Sequence, residues 1–315
     1  MTRLLAWGTL VACGLGVVAL AAGQQPVFRG TTDAVRVFVT VTDRDGRLVT
    51  TLTQADFEVR DEGKPQPIAL FDNTPQPVRL VLMLDVSGSM EGNLALLREA
   101  SEQLFARLRP GDRLRIGTFG EEIVISPSFT RNPRELRAAL PTSIRPDAPT
   151  PLWRAIDRAI AAFKDEGEER PVILVLSDGK DSGPVDFRQQ GGSQAEVIER
   201  ARRDNVMIYG IGLRSRGRRP MNPGVGPGAL QAMLTDDLPD PGLARVAEET
   251  GGGYSEIRFG QDLGAAFTQV ADELHSQYLI AFAPPKRDGK VHDIDVRVSQ
   301  RGLTPRARKS YVAPR

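Results

Sequence analysis

The 315-residue sequence predicts an α/β protein: a doubly wound, mostly parallel sheet inserted in a small β-sandwich. Three observations predict it. Apolar runs at residues 81–84 and 172–176 have no polar break, as strands buried on both faces require. Such runs alternate with helical-period segments, and right-handed βαβ crossovers turn that alternation into a parallel sheet. Near both ends of the chain the apolar period changes to two, the mark of strands with one wet face.

Taken in order, residues 35–41 alternate with period two and 43–46 form a turn. Asp43 and Asp45 are ordinary turn residues, because no third calcium ligand follows at a useful spacing. Residues 57–60 and 68–71 are two short strands separated by 61–64, and Pro75 to Pro77 form a stiff link. After the 81–84 run comes an apolar-periodic helix at 94–108, stopped before Pro110-Gly111. Residues 114–119 and 123–125 read as a hairpin around Gly120-Glu121-Glu122, which adds one antiparallel strand. Helices at 133–140 and 152–164, the 172 strand, a helix at 195–203 and a strand at 206–212 follow. Residues 214–240, with Arg214, Arg216, Arg218 and Arg219, read as a long surface loop. A helix at 243–249, a short edge strand at 254–257 and a last helix at 263–275 complete the unit. Residues 278–282 and 292–298 are strands around a turn at 287–290.

Polar chemistry concentrates where the first central strand ends. Asp85, Ser87 and Ser89 occupy alternate positions there, so a short extended turn can aim three oxygens into one crevice. Open α/β sheets bind ligands at that end. Carboxylate and hydroxyl oxygens suit a hard cation such as Mg²⁺, and the absence of any nearby Cys or His argues against zinc. Taken alone, the three read by default as a solvated strand-to-helix turn capped by Ser89. Two later stretches bear on that reading. Residues 148–153 open a helix with Thr150 as N-cap and Pro151 at the first helical position. Residues 171–179 are another buried-type strand, ending on Asp178.

Asp-x-Ser-x-Ser after an apolar strand, then Thr150, then Asp178, resembles the metal-ion-dependent adhesion site of von Willebrand factor type A domains. The resemblance implies a von Willebrand A, Rossmann-like sheet with Asp85, Ser87, Ser89, Thr150 and Asp178 as the metal set. It implies that the two serines and sometimes the threonine touch the ion, while the aspartates act largely through water. It also implies that an acidic side chain of a partner protein completes the octahedron. The cofactor is then a divalent cation, Mg²⁺ first and Mn²⁺ or Ca²⁺ as alternatives. Two aspartates neutralise such an ion while neutral hydroxyls leave it electrophilic.

Hydrophobic residues make up 40% of the chain, enough for a substantial core and two domains. The formal charge of +1 gives no reason to expect nucleic acid or a membrane surface as partner. Residues 1–23 read as an export signal, with Arg3 before an apolar run and Ala21-Ala22-Gly23 as the cleavage site, so the protein is expected to be periplasmic, cell-surface or secreted. The alternatives are an uncleaved membrane anchor and a lipid on Cys13. Cys13 is the sole cysteine, so the mature chain has no disulfide.

The 35–71 region, with Asp56-Phe57 and Glu62-Gly63-Lys64-Pro65-Gln66, and the tail with Arg306 to Tyr311 are similar to the flanking portions of exported bacterial VWFA-related proteins. From these readings we expect residues 28–77 and 277–315 to form one β-sandwich from both chain ends. The A domain at 78–276 would be its insertion. Because the last helix leads into the tail, ligand binding is expected to influence how the two domains sit together.

Enzymatic readings are poorly supported. His275 and His292 are the only histidines, and each is expected to be a packing or surface residue. The turn at Ser87 lacks the Gly-x-Ser-x-Gly form, and no Gly-x-x-x-x-Gly-Lys phosphate loop occurs. The function expected is therefore an exported, non-enzymatic, adhesion-type module that holds an acidic group of a partner at a divalent metal. The alternatives are an envelope structural component in which the metal only stabilises and, last, a metal-dependent hydrolase.

Overall fold

A computed structural model describes residues 34–164, 169–177, 181–182, 192–214, 241–258 and 262–315. The expected leader, Cys13, Asp178 and the loop from 215 to 240 lie outside the described residues. The chain enters with β1 (Val35–Thr42), β2 (Phe57–Asp61), β3 (Lys64–Gln66) and β4 (Ile68–Asp72). The α/β unit follows as β5 (Val78–Asp85), α1 (Leu94–Arg107), β6 (Arg113–Phe119), β7 (Ile123–Ile125), α2 (Pro133–Ala139), α3 (Leu152–Ala161) and β8 (Arg170–Ser177). It continues through α4 (Gln194–Arg203), β9 (Met207–Arg214), α5 (Pro241–Thr250), β10 (Tyr254–Arg258) and α6 (Leu263–Leu274). The return strands are β11 (Tyr278–Phe282), β12 (Val291–Val298), β13 (Thr304–Arg306) and β14 (Ser310–Val312).

β5 is buried at every position, as its unbroken apolar run requires. Its alternate side chains feed two cores. Leu80, Leu82 and Leu84 pack with Leu97, Leu104, Phe267 and Leu274, whereas Val81 and Met83 pack with Ile156, Ile160, Val197 and Leu243. Helices therefore cover both faces. The sheet order is β10-β9-β8-β5-β6-β7, parallel except for β7. The chain leaves β5 toward β6 on one side and later returns to β8 on the other. That reversal is a topological switch point, where the loops after β5 and β8 part above the sheet and leave a crevice.

Strands from both chain ends interleave in two further four-stranded sheets, β13-β1-β11-β4 and β14-β12-β2-β3. Val37, Val39, Val59, Ile280, Phe282, Ile294 and Tyr311 share one core between them. The turn at 287–290 does not close a two-stranded hairpin. β11 pairs with β1 and β4, whereas β12 pairs with β2 and β14, so the turn carries the chain from one sheet to the other. Burial matches this split: all five β11 residues are buried, while the first five of β12 alternate between exposed and buried. β3 was not expected, because Lys64-Pro65-Gln66 has no apolar alternation. It forms because Glu62 and Gly63, at φ 49° and 75°, make a tight turn, and Pro65 is tolerated on an edge strand.

Both histidines are buried in pairs with carboxylates. His275 Nε2 lies 2.9 Å from Asp112 Oδ2, and Asp112 also accepts the Val78 and Arg109 amides, so this carboxylate ties the end of α6 to the start of β5. Close by, Glu273 accepts from Tyr209 Oη at 2.5 Å, from Thr40 Oγ1 at 3.1 Å and from Arg306. Gln277 donates to Thr40 Oγ1 at 2.7 Å and to Tyr209 Oη at 3.2 Å, and accepts from Arg170. This knot joins the sandwich strands β1 and β13 to β8 and β9. Glu273→Ala leaves half-buried Arg306 and buried Tyr209 without their acceptor and is expected to cost about 2–3 kcal/mol, read as a lower urea midpoint.

His292 stands between two carboxylates, Nδ1 at 3.0 Å from Asp61 Oδ1 and Nε2 at 3.2 Å from Asp288 Oδ1. Burial opposes its charged form, but hydrogen bonding and attraction from Asp61, then from Asp288, outweigh it and raise the pKa. A raised folded pKa stabilises fully below the unfolded value of about 6.5, and that stabilisation is lost as pH rises through the folded value. Urea midpoints of the wild type should therefore fall as pH rises from about 6.5. His292→Gln should flatten that decline; an equal slope in both proteins would remove His292 as its source.

Candidate functional site

The end of β5 is held in three directions. The Val86 amide continues the ladder to Phe119 O at 2.9 Å. Asp85, with no exposed surface, accepts the Ser87 amide on Oδ1 at 2.9 Å and the Ser177 hydroxyl on Oδ2 at 2.5 Å. These two neutral donors orient the carboxylate. Ser87 is extended at φ −67° and ψ 169°, and a single 3₁₀ turn, Gly88–Met90, follows. That geometry brings the buried Ser87 Oγ to 3.1 Å from Oγ of the exposed Ser89.

Thr150 arrives on the loop before α3. Pro151, not Thr150, occupies the N-cap position, and no side chain caps the helix. Pro151 at the cap moves the threonine out of the helix, and its hydroxyl makes no hydrogen bond among the described residues. The Thr150 backbone is clamped by Ser182, which receives its amide on Oγ at 2.8 Å and donates its own amide to the Thr150 carbonyl at 2.9 Å. Gly88 brings the two loops together: its amide donates to Ala148 O at 3.2 Å, and a Cβ there would lie 1.7 Å from Pro146 O. The structure thus brings Asp85, Ser87 and Ser89 together with the Thr150 loop, while Asp178, the residue after Ser177, is outside the described residues. An open cleft of about 230 Å³ adjoins them, lined by Val86, Ala148, Thr118, Glu121 and Arg145 among others.

The donor set fits a hard divalent cation. Adjacent oxygens around an octahedral Mg²⁺ with bonds of 2.0–2.1 Å stand about 2.9 Å apart, close to the serine separation of 3.1 Å. Ser177, Ser182 and Gly88 were not singled out from sequence. Ser177 had a visible signal in its place beside Asp178, but Ser182 and Gly88 act through contacts between loops that spacing does not reveal. Among the described residues, the one group of three His, Cys, Asp or Glu side chains within mutual ligand reach is Asp61, Glu62 and His292, which lies in the sandwich.

Asp85, Ser87 and Ser89 stand at the switch point of a doubly wound sheet, the place where open α/β sheets generally take ligands. Residues 80–180 match the family model of the von Willebrand factor type A domain, and this chain carries a domain of that family. Such domains generally mediate protein–protein interaction. No curated protein matches the chain. Among solved structures, a von Willebrand factor type A protein from Catenulispora acidiphila is similar at 13% identity and TM-score 0.46, covering 90% of this chain and 75% of its own. BatB from Bacteroides thetaiotaomicron is similar at 16% identity and TM-score 0.44, covering 62% and 98%. Proximal thread matrix protein 1 from the mussel byssus, whose structure is described as having a zinc occupied MIDAS motif, is similar at 15% identity and TM-score 0.46, covering 69% and 50%. No helix among the described residues is long and apolar enough to cross a membrane.

Gly88→Ala should push the serine turn away from the Pro146 carbonyl. The expected cost is about 1–3 kcal/mol, seen as a lower melting temperature. Val86→Ala, on a partly exposed neighbour, should lose less.

Proposed function

We propose that the α/β domain is an exported, non-enzymatic binding module that holds an acidic group of another protein at a divalent-cation site. The observation that carries this reading is a fully buried, oriented carboxylate beside two serine hydroxyls 3.1 Å apart. The hydroxyl of Thr150, unclaimed by any helix cap, supports it. Asp85, Ser87, Ser89, Thr150 and Asp178 would hold the cation, Mg²⁺ first and Mn²⁺ or Ca²⁺ otherwise. When bound, the cation supplies one electrophilic position for a partner's carboxylate.

The chain's own residues divide the remaining work. Ser87 and Ser89 present oxygens from one turn, and Ser177 holds Asp85 so that its charge stays at the crevice floor. Ser182 fixes the loop that presents Thr150. Residues 78–276 form the binding domain in this reading, residues 28–77 and 277–315 the sandwich that carries it, and residues 1–23 the export signal.

Calorimetric titration of Mg²⁺, Mn²⁺ and Ca²⁺ into metal-stripped protein tests the site. One saturable event is expected, abolished in Asp85→Ala and in Ser87→Ala with Ser89→Ala. Ser177→Ala, which removes a bond that orients Asp85, should weaken it about 10–100-fold. Wild-type affinity in the double serine variant would sink the assignment and move attention to Asp61, Glu62 and His292. Saturable metal binding with partner capture that survives chelation would instead make the metal a stabiliser.

A further inference from the structure

In the sandwich, β2 from the entering chain pairs with β12 of the returning chain. Where they meet the β2–β3 turn, one ligand atom each of Asp61, Glu62 and His292 lies within 4.8 Å of the other two. We infer that these three side chains bind a zinc ion, completed by water, that ties the entering strand to the returning one. The inference is independent of the cation site at the end of β5.

Local structure brings the donors together. The turn sets Glu62 against Asp293: the Glu62 amide donates to Asp293 O at 3.0 Å, and Glu62 Oε1 accepts the Asp293 amide at 2.9 Å. His292 is the preceding residue of β12, and its Nδ1 stands 3.0 Å and 3.4 Å from the two oxygens of Asp61. Two donors on a tetrahedral Zn²⁺ with bonds of about 2.0–2.1 Å stand about 3.3–3.4 Å apart, so a small opening of that hydrogen bond admits the ion. The ion takes the place of the Nδ1 proton, which leaves to solvent. Asp61 and His292 are 1% and 4% exposed, whereas Glu62 is exposed and forms the mouth of the site.

Each of the three side chains is also held from behind. His292 Nε2 lies 3.2 Å from Asp288 Oδ1, Asp61 Oδ2 accepts the Tyr311 hydroxyl at 2.5 Å, and Glu62 Oε1 is occupied by the Asp293 amide. Partners in these places fix the imidazole tautomer and orient the carboxylates. They leave Nδ1 of His292, Oδ1 of Asp61 and Oε2 of Glu62 for the ion. Charge points the same way. Buried carboxylates are paired or coordinate metals, and neither Asp61 nor Glu62 has a lysine or arginine partner among the described residues. A dication neutralises the two carboxylates, and the imidazole, neutral once Nδ1 is a ligand, adds no charge. Its nitrogen selects zinc over magnesium and calcium, which take oxygen ligands.

The test titrates zinc chloride into the full chain carrying Ser87→Ala and Ser89→Ala, so that the end of β5 takes no part and failure of either site is seen separately. One saturable event is expected, with a rise in melting temperature, and cobalt(II) in place of zinc should give the visible absorption of a tetrahedral ion. Glu62→Gln alters an exposed residue whose amide oxygen can still accept from Asp293, so folding should be kept while zinc affinity falls at least about tenfold. Asp288→Asn, behind Nε2, should weaken binding about 10–100-fold. His292→Gln should abolish it, and Glu62→Gln keeps the test valid should that variant fail to fold. No saturable zinc event in the double serine protein, or unchanged zinc affinity in Glu62→Gln, overturns the inference.

Discussion

The burial of one carboxylate organises the sheet edge. Asp85 ends a strand with no exposed position, so its charge is carried into the protein by the same apolar run that makes β5 the centre of the sheet. An ionised group in such a place is tolerated only when its lone pairs are used and its charge is balanced. The Ser87 amide and the Ser177 hydroxyl use lone pairs from two directions. Because one lies on the β5 loop and the other on β8, orienting the carboxylate also locks the adjacent strands in register at their ends. The serine turn, its contact with residue 148 and the threonine loop are all built outward from that fixed point.

Much of this was legible in the chain. Unbroken apolar runs ending on Asp85 and beside Asp178 named the two central strands and the sheet edge that carries the serine turn, because burial on both faces leaves no other periodicity for such strands. Period-two segments at both ends revealed the sandwich. What stayed hidden depended on contacts between distant loops. Nothing local in Gly88 announces that Pro146 O will sit where its side chain would be, and nothing in Ser182 announces the Thr150 backbone. Placing Thr150 as a helix cap followed sound capping preference, yet Pro151 took that place, and the threonine hydroxyl caps no helix.

The strands after α6 show a different limit. A turn with Asp288-Gly289 between two β segments is a strong hairpin signal, but hairpin signals describe the turn and not the partner of each strand. β11 is apolar and buried at every position, the pattern of an inner strand, and it lies between β1 and β4 in its sheet. β12 alternates in its first half and so suits a sheet with one wet face. The difference in pattern between the two segments carried the answer, and the turn between them obscured it.

The polar knot around Glu273 bears on whether the two domains can move independently. Glu273, His275 and Gln277 follow one another at the end of α6. Through Thr40, Arg306, Tyr209, Arg170 and Asp112, they reach β1, β13, β9, β8 and the loop before β6. Displacing the carboxyl end of α6 along its axis would break several buried hydrogen bonds together, each leaving a desolvated donor or acceptor at about 1–3 kcal/mol. A sum of that size is comparable to the whole stability of an ordinary domain. The short link from α6 into β11 is therefore a rigid joint. Any influence of the sheet edge on the sandwich must pass through a concerted rearrangement of this knot rather than through a hinge.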